Sequence, residues 1–179
     1  MIEEKEIIMR ARDGSLGDFE KLLALYKKRV FGIIYLHIRN RSDAEDLFQE
    51  VFYRVFRGLK SYDPGRSFFA WIYTVTLNTV RSYLTKTKSR KQEVDIEFLE
   101  DLVADSEADF STEDKIILFN ALDCLPDDER QLIYLKYMQG IGVSEISELT
   151  GLSEENVKVK LHRIRKKIGK EMEGENGDK

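Results

Sequence analysis

At 179 residues the chain has room for one ordinary domain or two small ones, and 35% charged with 42% hydrophobic residues fits a folded, helix-rich protein. A single cysteine, Cys124, excludes an internal disulfide or a cysteine-based zinc site, and two histidines, His37 and His162, supply a metal cluster or catalytic triad poorly. The net charge of −4 is an uneven average: Glu93–Asp114 holds ten acidic residues and no basic one, which leaves +6 on the remainder.

No apolar run reaches the roughly 18–20 residues of a membrane span. The acidic start Met1–Glu6 lacks the basic-then-apolar layout of a signal peptide, so a cytoplasmic location is expected. From Asp18 to Arg39, apolar residues at Phe19, Leu22, Leu23, Tyr26, Val30, Ile33, Ile34 and Leu36 follow a period near 3.6 and predict a helix. Asn40-Arg41 interrupts it. Ser42 then offers an N-cap, with Glu45 three residues later to complete a capping box. The helix Ser42–Gly58 carries an apolar stripe (Ala44, Leu47, Phe48, Val51, Phe52, Val55, Phe56) and a polar face of Asp43, Asp46, Gln49, Glu50, Arg54 and Arg57.

Gly58–Ser67 is a loop, with Asp63-Pro64-Gly65 as a turn. A third helix runs from about Phe68 into the late 80s; it begins with Phe68, Phe69, Trp71 and Tyr73 and ends basic, at Arg81, Lys86, Lys88, Arg90 and Lys91. The acidic strip has no sustained period and reads as a linker, flexible or weakly helical in isolation. Ser111 or Thr112 can cap the next helix, which ends near Leu125. Pro126 suits the first turn of another, closed by Gly140 and Gly142.

Ser144–Thr150 is a short helix, Gly151-Leu152-Ser153 a tight turn, and Ser153 the N-cap of a basic helix reaching about Met172. A short helix, a Gly turn and a longer basic helix form the helix-turn-helix pattern. Ile146, Leu149, Leu152, Val157, Leu161 and Ile164 can make its small core, which leaves Lys158, Lys160, His162, Arg163, Arg165, Lys166, Lys167 and Lys170 for the exposed surfaces. Long donors of this kind reach guanine O6 and N7 or phosphates in a major groove. Ser153 and the helix amino end are placed to hold a phosphate. A charge run by itself reads as a solvated face; the Gly turn, amphipathic partner and one-sided charge together favour duplex DNA.

The first half narrows this further. Asp43-Ala44-Glu45-Asp46-Leu47-Phe48-Gln49-Glu50-Val51-Phe52 resembles the core-polymerase-binding helix of bacterial sigma factors. Phe68-Phe69-Ala70-Trp71-Ile72-Tyr73-Thr74-Val75 through Asn78 resembles their promoter-melting segment. Leu125-Pro126-Asp127-Asp128-Glu129-Arg130, Ser144-Glu145-Ile146 and Val157–Arg165 are similar to their promoter-distal domain. The motifs stand in the family's order over nearly the whole chain, and the short layout matches the extracytoplasmic-function (ECF) class.

The resemblance implies an all-α fold of two small helical domains, residues 1–91 and 112–179, joined by an acidic linker at 92–111, the second domain holding the helix-turn-helix. It implies that Asp43, Asp46, Leu47, Gln49 and Glu50 dock on the beta-prime clamp helices of core RNA polymerase, with the beta subunit as a further partner. It assigns Tyr62, Phe68, Trp71, Asn78 and Arg81 to the promoter's minus-ten element. Ser153, Asn156, Lys158, Lys160, His162, Arg163 and Lys167 then read the minus-thirty-five element. Spacing alone would leave the carboxylates a solvated face and the aromatics core; an opened strand, however, needs flat apolar surfaces for stacking. Ser82 and Thr85 stand where many members carry aspartate and arginine, so the contacts of those two are not carried over. The linker would thread toward the active-site cleft as a stand-in for RNA phosphates, or serve only as a tether; both readings stand.

An anti-sigma partner is common in the class, although no residue here specifies one. No cofactor, metal or enzymatic activity is expected. The competing readings are a helix-turn-helix regulator independent of polymerase and a helical module binding an acidic protein. Cys124, beside Leu122 and Leu125, reads as a buried structural thiol rather than a redox sensor.

Overall fold

The computed structural model describes residues 2–87, 122 and 125–175, and the chain divides into two units, residues 1–95 and 96–179. Regular structure among the described residues is entirely helical, and no helix among them is long and apolar enough to cross a membrane. The expected linker at 92–111, the caps Ser111 and Thr112, the basic residues Lys88, Arg90 and Lys91, and Cys124 lie outside the described residues.

The first unit contains α1 (Ile2–Arg12), α2 (Leu16–Ile38), α3 (Arg41–Gly58), a 3-10 turn (Leu59–Ser61) and α4 (Phe68–Lys86). α2 is the hub on which α1, α3 and α4 all pack. Its Val30, Ile33, Ile34 and Leu36 are fully buried, as are Ala44 and Val51 of α3 and Ile72 of α4. Each large aliphatic side chain so buried stabilises the unit by roughly 1.5–3 kcal/mol. α1 was not anticipated; its signal is the trio Ile7, Ile8 and Ala11, which buries one face.

A polar clasp joins α1 to α2. The Ser15 hydroxyl accepts from Asp18 N at 3.3 Å, capping α2, and donates to the Asp18 carboxylate at 2.8 Å. Arg10 donates to the same carboxylate at 3.0 and 3.2 Å, and Lys21 at 3.0 Å. The Arg10 hydrogen bond first, then those of Lys21 and Ser15, hold the Asp18 carboxyl well below the usual carboxylate range, against the opposing pull of burial.

The start of α3 corrects the expected capping box. Arg39 ends α2 in the left-handed conformation at φ 58°, and Asn40 is extended, so α3 is capped two residues earlier than Ser42 would require. Asn40 Oδ1 accepts from Asp43 N at 2.8 Å and is the N-cap; Ser42 is exposed inside the first turn. Ser67 caps α4, its hydroxyl accepting from Ala70 N at 3.3 Å. Along α4 the hydroxyls of Thr74, Thr76, Thr79, Ser82 and Thr85 each donate to the carbonyl four residues back.

The second unit contains α5 (Asp127–Ile133), a π-helical turn (Tyr134–Met138), α6 (Val143–Thr150) and α7 (Glu154–Glu175). Pro126 stands at the cap of α5 rather than inside its first turn. The π turn closes with Gln139 N donating to Tyr134 O at 3.1 Å, and Gly140 then takes φ 66°. α7 packs on both α5 and α6. Of the six residues expected in the helix-turn-helix core, Ile146, Val157, Leu161 and Ile164 are buried, while Leu149 and Leu152 are half-buried; Ile168 joins them.

Candidate nucleic-acid interface

Three surfaces carry the residues singled out by sequence. The first is the outer face of α3. Asp46 and Gln49 are exposed, and Asp43 and Glu50 half-buried. Glu50 is paired with Arg54 one turn on, at 2.6 Å. Asp43 accepts a hydrogen bond from Tyr83 of α4, whose own pKa is raised, chiefly by burial and then by this bond. Leu47 departs from the expectation of a docking contact. It is buried, because it lies on the stripe with Ala44 and Val51 that packs inside the unit. Charge-based reasoning passed over Tyr53, which is 59% exposed and sits one turn from both Gln49 and Glu50. It puts an aromatic ring in the middle of the polar face.

The second surface is the loop before α4 and the outward face of that helix. Tyr62, Phe68 and Trp71 form a three-ring cluster, with centroids 5.1, 5.4 and 5.6 Å apart. Trp71 is half-buried, whereas Tyr62 and Phe68 are buried. The two buried rings therefore pack inside the unit, and Trp71 is the member of the cluster that reaches the surface. The Tyr62 hydroxyl donates to Arg66 O at 2.5 Å, and burial raises its pKa. Asp63 Oδ1 accepts from Gly65 N at 2.9 Å, which fixes the turn that returns the chain to α4. Tyr26 of α2 supports Phe68 edge-on at 5.3 Å, and its hydroxyl donates to Glu4 of α1. The unanticipated first helix thus buttresses the cluster. A Cβ at Gly58 would stand 3.2 Å from Trp71 Cζ2, so a larger residue there would press the indole outward by a few tenths of an ångström.

Two turns beyond Trp71, on the same side of α4, Asn78, Arg81, Ser82, Thr85 and Lys86 line an open groove. Ser82 and Thr85 direct their hydroxyl protons at α4's own carbonyls. The other side-chain donors lining the groove are those of Asn78, Arg81 and Lys86. The face running from Trp71 to Lys86 is therefore apolar at one end and cationic at the other.

The third surface is α7. Gly151, at φ 72°, donates its N–H to Ser147 O at 2.9 Å and turns the chain between α6 and α7. Ser153 Oγ accepts from Asn156 N at 3.2 Å and caps α7. Ser153, Asn156, Lys158, His162 and Arg163 are exposed, and Lys158 meets Glu154 at 3.9 Å. Lys160 and Lys167 are differently placed. Lys160 Nζ lies 2.9 Å from the Asp128 carboxylate and Lys167 Nζ 3.6 Å from Glu129, both at the start of α5. The Lys160 hydrogen bond lowers the Asp128 pKa. These two cations flank the exposed face rather than lead it.

Two helical units, one with a preformed aromatic cluster beside a cationic face and one with a basic helix-turn-helix, define a bipartite DNA-reading protein. Residues 22–90 match the family Sigma-70 region 2, and residues 115–168 match Sigma-70, region 4. The chain is 32% identical to the RNA polymerase sigma factor CarQ of Myxococcus xanthus, over 93% of this chain and 95% of that one. It is 29% identical to the ECF RNA polymerase sigma factor SigW of Bacillus subtilis, over 94% and 96% of the two chains. The solved sigma factor RpoE of Bartonella quintana, in complex with the anti-sigma factor NepR, superposes with a TM-score of 0.65 at 21% identity, covering 88% of this chain and 98% of that one. The chain belongs to the RNA polymerase sigma factors, in the ECF class.

Proposed function

We propose that this sigma factor holds core polymerase and captures the minus-ten element with residues 1–91, and reads the minus-thirty-five element with residues 112–179. As a member of its family it directs transcription initiation through promoter recognition. The polymerase supplies the chemistry, and this chain supplies specificity in the cytoplasm without a catalytic centre of its own. Asp43, Asp46, Gln49 and Glu50 are the docking residues on the beta-prime clamp helices; Leu47 acts by holding α3 in place. Residues 92–111 join the two readers, and the beta subunit is a further contact of the assembled holoenzyme. RpoE of Bartonella quintana, solved with an anti-sigma factor, supports a protein antagonist of the same kind here.

The observation that carries the reading is the Tyr62–Phe68–Trp71 cluster at the end of α4's cationic face. Tyr62 and Phe68 also serve the core, and Trp71 is the ring that reaches the surface beside the cationic groove. Extruding a base costs a few kcal/mol, and stacking returns roughly 1–3 kcal/mol per base, so a preformed apolar wall is what makes opening favourable. Transcription from genomic promoter fragments by core enzyme, with and without this chain, tests the proposal. Promoter-dependent stimulation supports it; no stimulation on any fragment, or failure to comigrate with core enzyme on gel filtration, refutes it.

A further inference from the structure

Val159 is 57% exposed on the side of α7 opposite the buried stripe of Val157, Leu161, Ile164 and Ile168. Its neighbours one turn away, Glu155, Asn156, His162 and Arg163, are all exposed polar residues. An isolated apolar residue at a surface is ordinary. The location of this one is what matters. It occupies the middle of the face that, under the proposed function on which this inference rests, enters the major groove. Lys160 and Lys167 lie to one side of it, held by α5. A valine there does nothing for the core, and β-branched residues are poorer helix formers than the lysines around it.

Among the groups that base pairs present in the major groove, the thymine C5-methyl is the apolar one. We propose that Val159 is a specificity-determining residue that packs its isopropyl group on a thymine methyl in the minus-thirty-five element. The contact has no hydrogen bond and needs none. It selects thymine over cytosine, which lacks the methyl and presents an amino donor instead. Val159 holds one strongly preferred χ1 rotamer on a helix, so the side chain is set before DNA arrives.

The test uses holoenzyme reconstituted from core polymerase and the full chain, on a promoter that this holoenzyme selects. Each thymine of the upstream element is replaced singly by deoxyuridine, which removes the methyl and leaves the hydrogen-bonding groups unchanged. At one position the affinity should fall about fourfold, the ~0.8 kcal/mol of one methyl-sized apolar group converted at room temperature. Val159→Ser should bind the thymine promoter more weakly by a similar factor and be indifferent to deoxyuridine at that position. Val159→Thr, which keeps one methyl, should retain part of the discrimination. The scan on the unsubstituted protein needs no variant, so misfolding cannot mimic the result. Sequence-dependent binding with no methyl effect at any position, or an equal effect in Val159→Ser, overturns this assignment alone. No sequence-dependent binding to the upstream element overturns the proposed function together with it.

Discussion

Asp128→Asn removes the carboxylate that Lys160 meets at 2.9 Å and preserves the size of the side chain. Both partners are well solvated, at 37% and 64% side-chain exposure, so the pair contributes no more than about 1 kcal/mol to folding. Its effect on DNA should be easier to read. While Lys160 is held by Asp128, a phosphate that takes it must leave a carboxylate behind, and the exchange gains little. Once freed, the lysine neutralises a phosphate and releases counterions, steepening the dependence of log K on log salt by about 0.9. Over a fourfold salt range, from about 50 to 200 mM, that is roughly a 3.5-fold change in relative affinity. Lys167, 3.6 Å from Glu129, offers a second such cation, so Asp128→Asn with Glu129→Gln should add up to about 1.8. Fluorescence anisotropy of the full chain on an upstream-element duplex measures the slope directly. An unchanged slope in the double variant would refute the reasoning and reassign both lysines to the packing of α7 on α5.

Trp71→Ala should weaken promoter opening by the worth of a stacked base, about 1–3 kcal/mol, and leave closed-complex affinity unaltered; permanganate footprinting of unpaired thymines against binding at low temperature separates the two. Gly151→Ala should cost about 1–2 kcal/mol of stability in a melting experiment, since φ is 72° and a Cβ there meets nothing within 4 Å, leaving only backbone strain. Gly17→Ala, equally unobstructed but in the first turn of α2 without a positive φ, should have the opposite sign. The depressed Asp18 pKa means its stabilisation is fully present above the unfolded carboxylate value near 3.9 and is lost as pH falls through the lower folded value. The difference in thermal midpoint between the protein and Asp18→Asn should therefore be constant from neutral pH to about pH 5 and shrink below about pH 4. A gap that stays constant into acid would mean the clasp does not depend on the charge.

The stripe of α3 and the helix-turn-helix were legible because local rules decide them. Apolar residues recur at helical spacing in the first, and Gly151 stands where only a positive φ makes the turn in the second. What escaped depends on partners distant in sequence. α1 offers just Ile7, Ile8 and Ala11 to a pattern, and its docking relies on Arg10 reaching Asp18 in the next helix. Ser42 and Asn40 are both good caps; the choice was made by Arg39 turning left-handed at the end of α2. Nothing in Tyr134–Met138 announces a π turn. Periodicity groups Lys160 and Lys167 with the outward cations of α7, yet Lys160 is half-buried and both are tied to Asp128 and Glu129 of α5, far upstream. Tyr53 and Val159 stand on faces where charged residues dominate the pattern, so no periodic signal marks an exposed ring or isopropyl group there.

The mutual contacts of Tyr62, Phe68 and Trp71 bear on kinetics as well as affinity. Tyr62 is fixed by its hydroxyl on Arg66 O and by two neighbouring rings, and Phe68 is braced from behind by Tyr26. Immobilising a rotamer-rich side chain during association ordinarily costs about 0.5–1.5 kcal/mol. Here that ordering is completed when the chain folds, so under the proposed function a base meets a surface already in its final shape. The waiting time for capture is then set by the DNA, by how often the target base leaves its stack. Promoters with an easily unstacked pyrimidine–purine step at that point should open fastest, even where every direct contact to protein is the same.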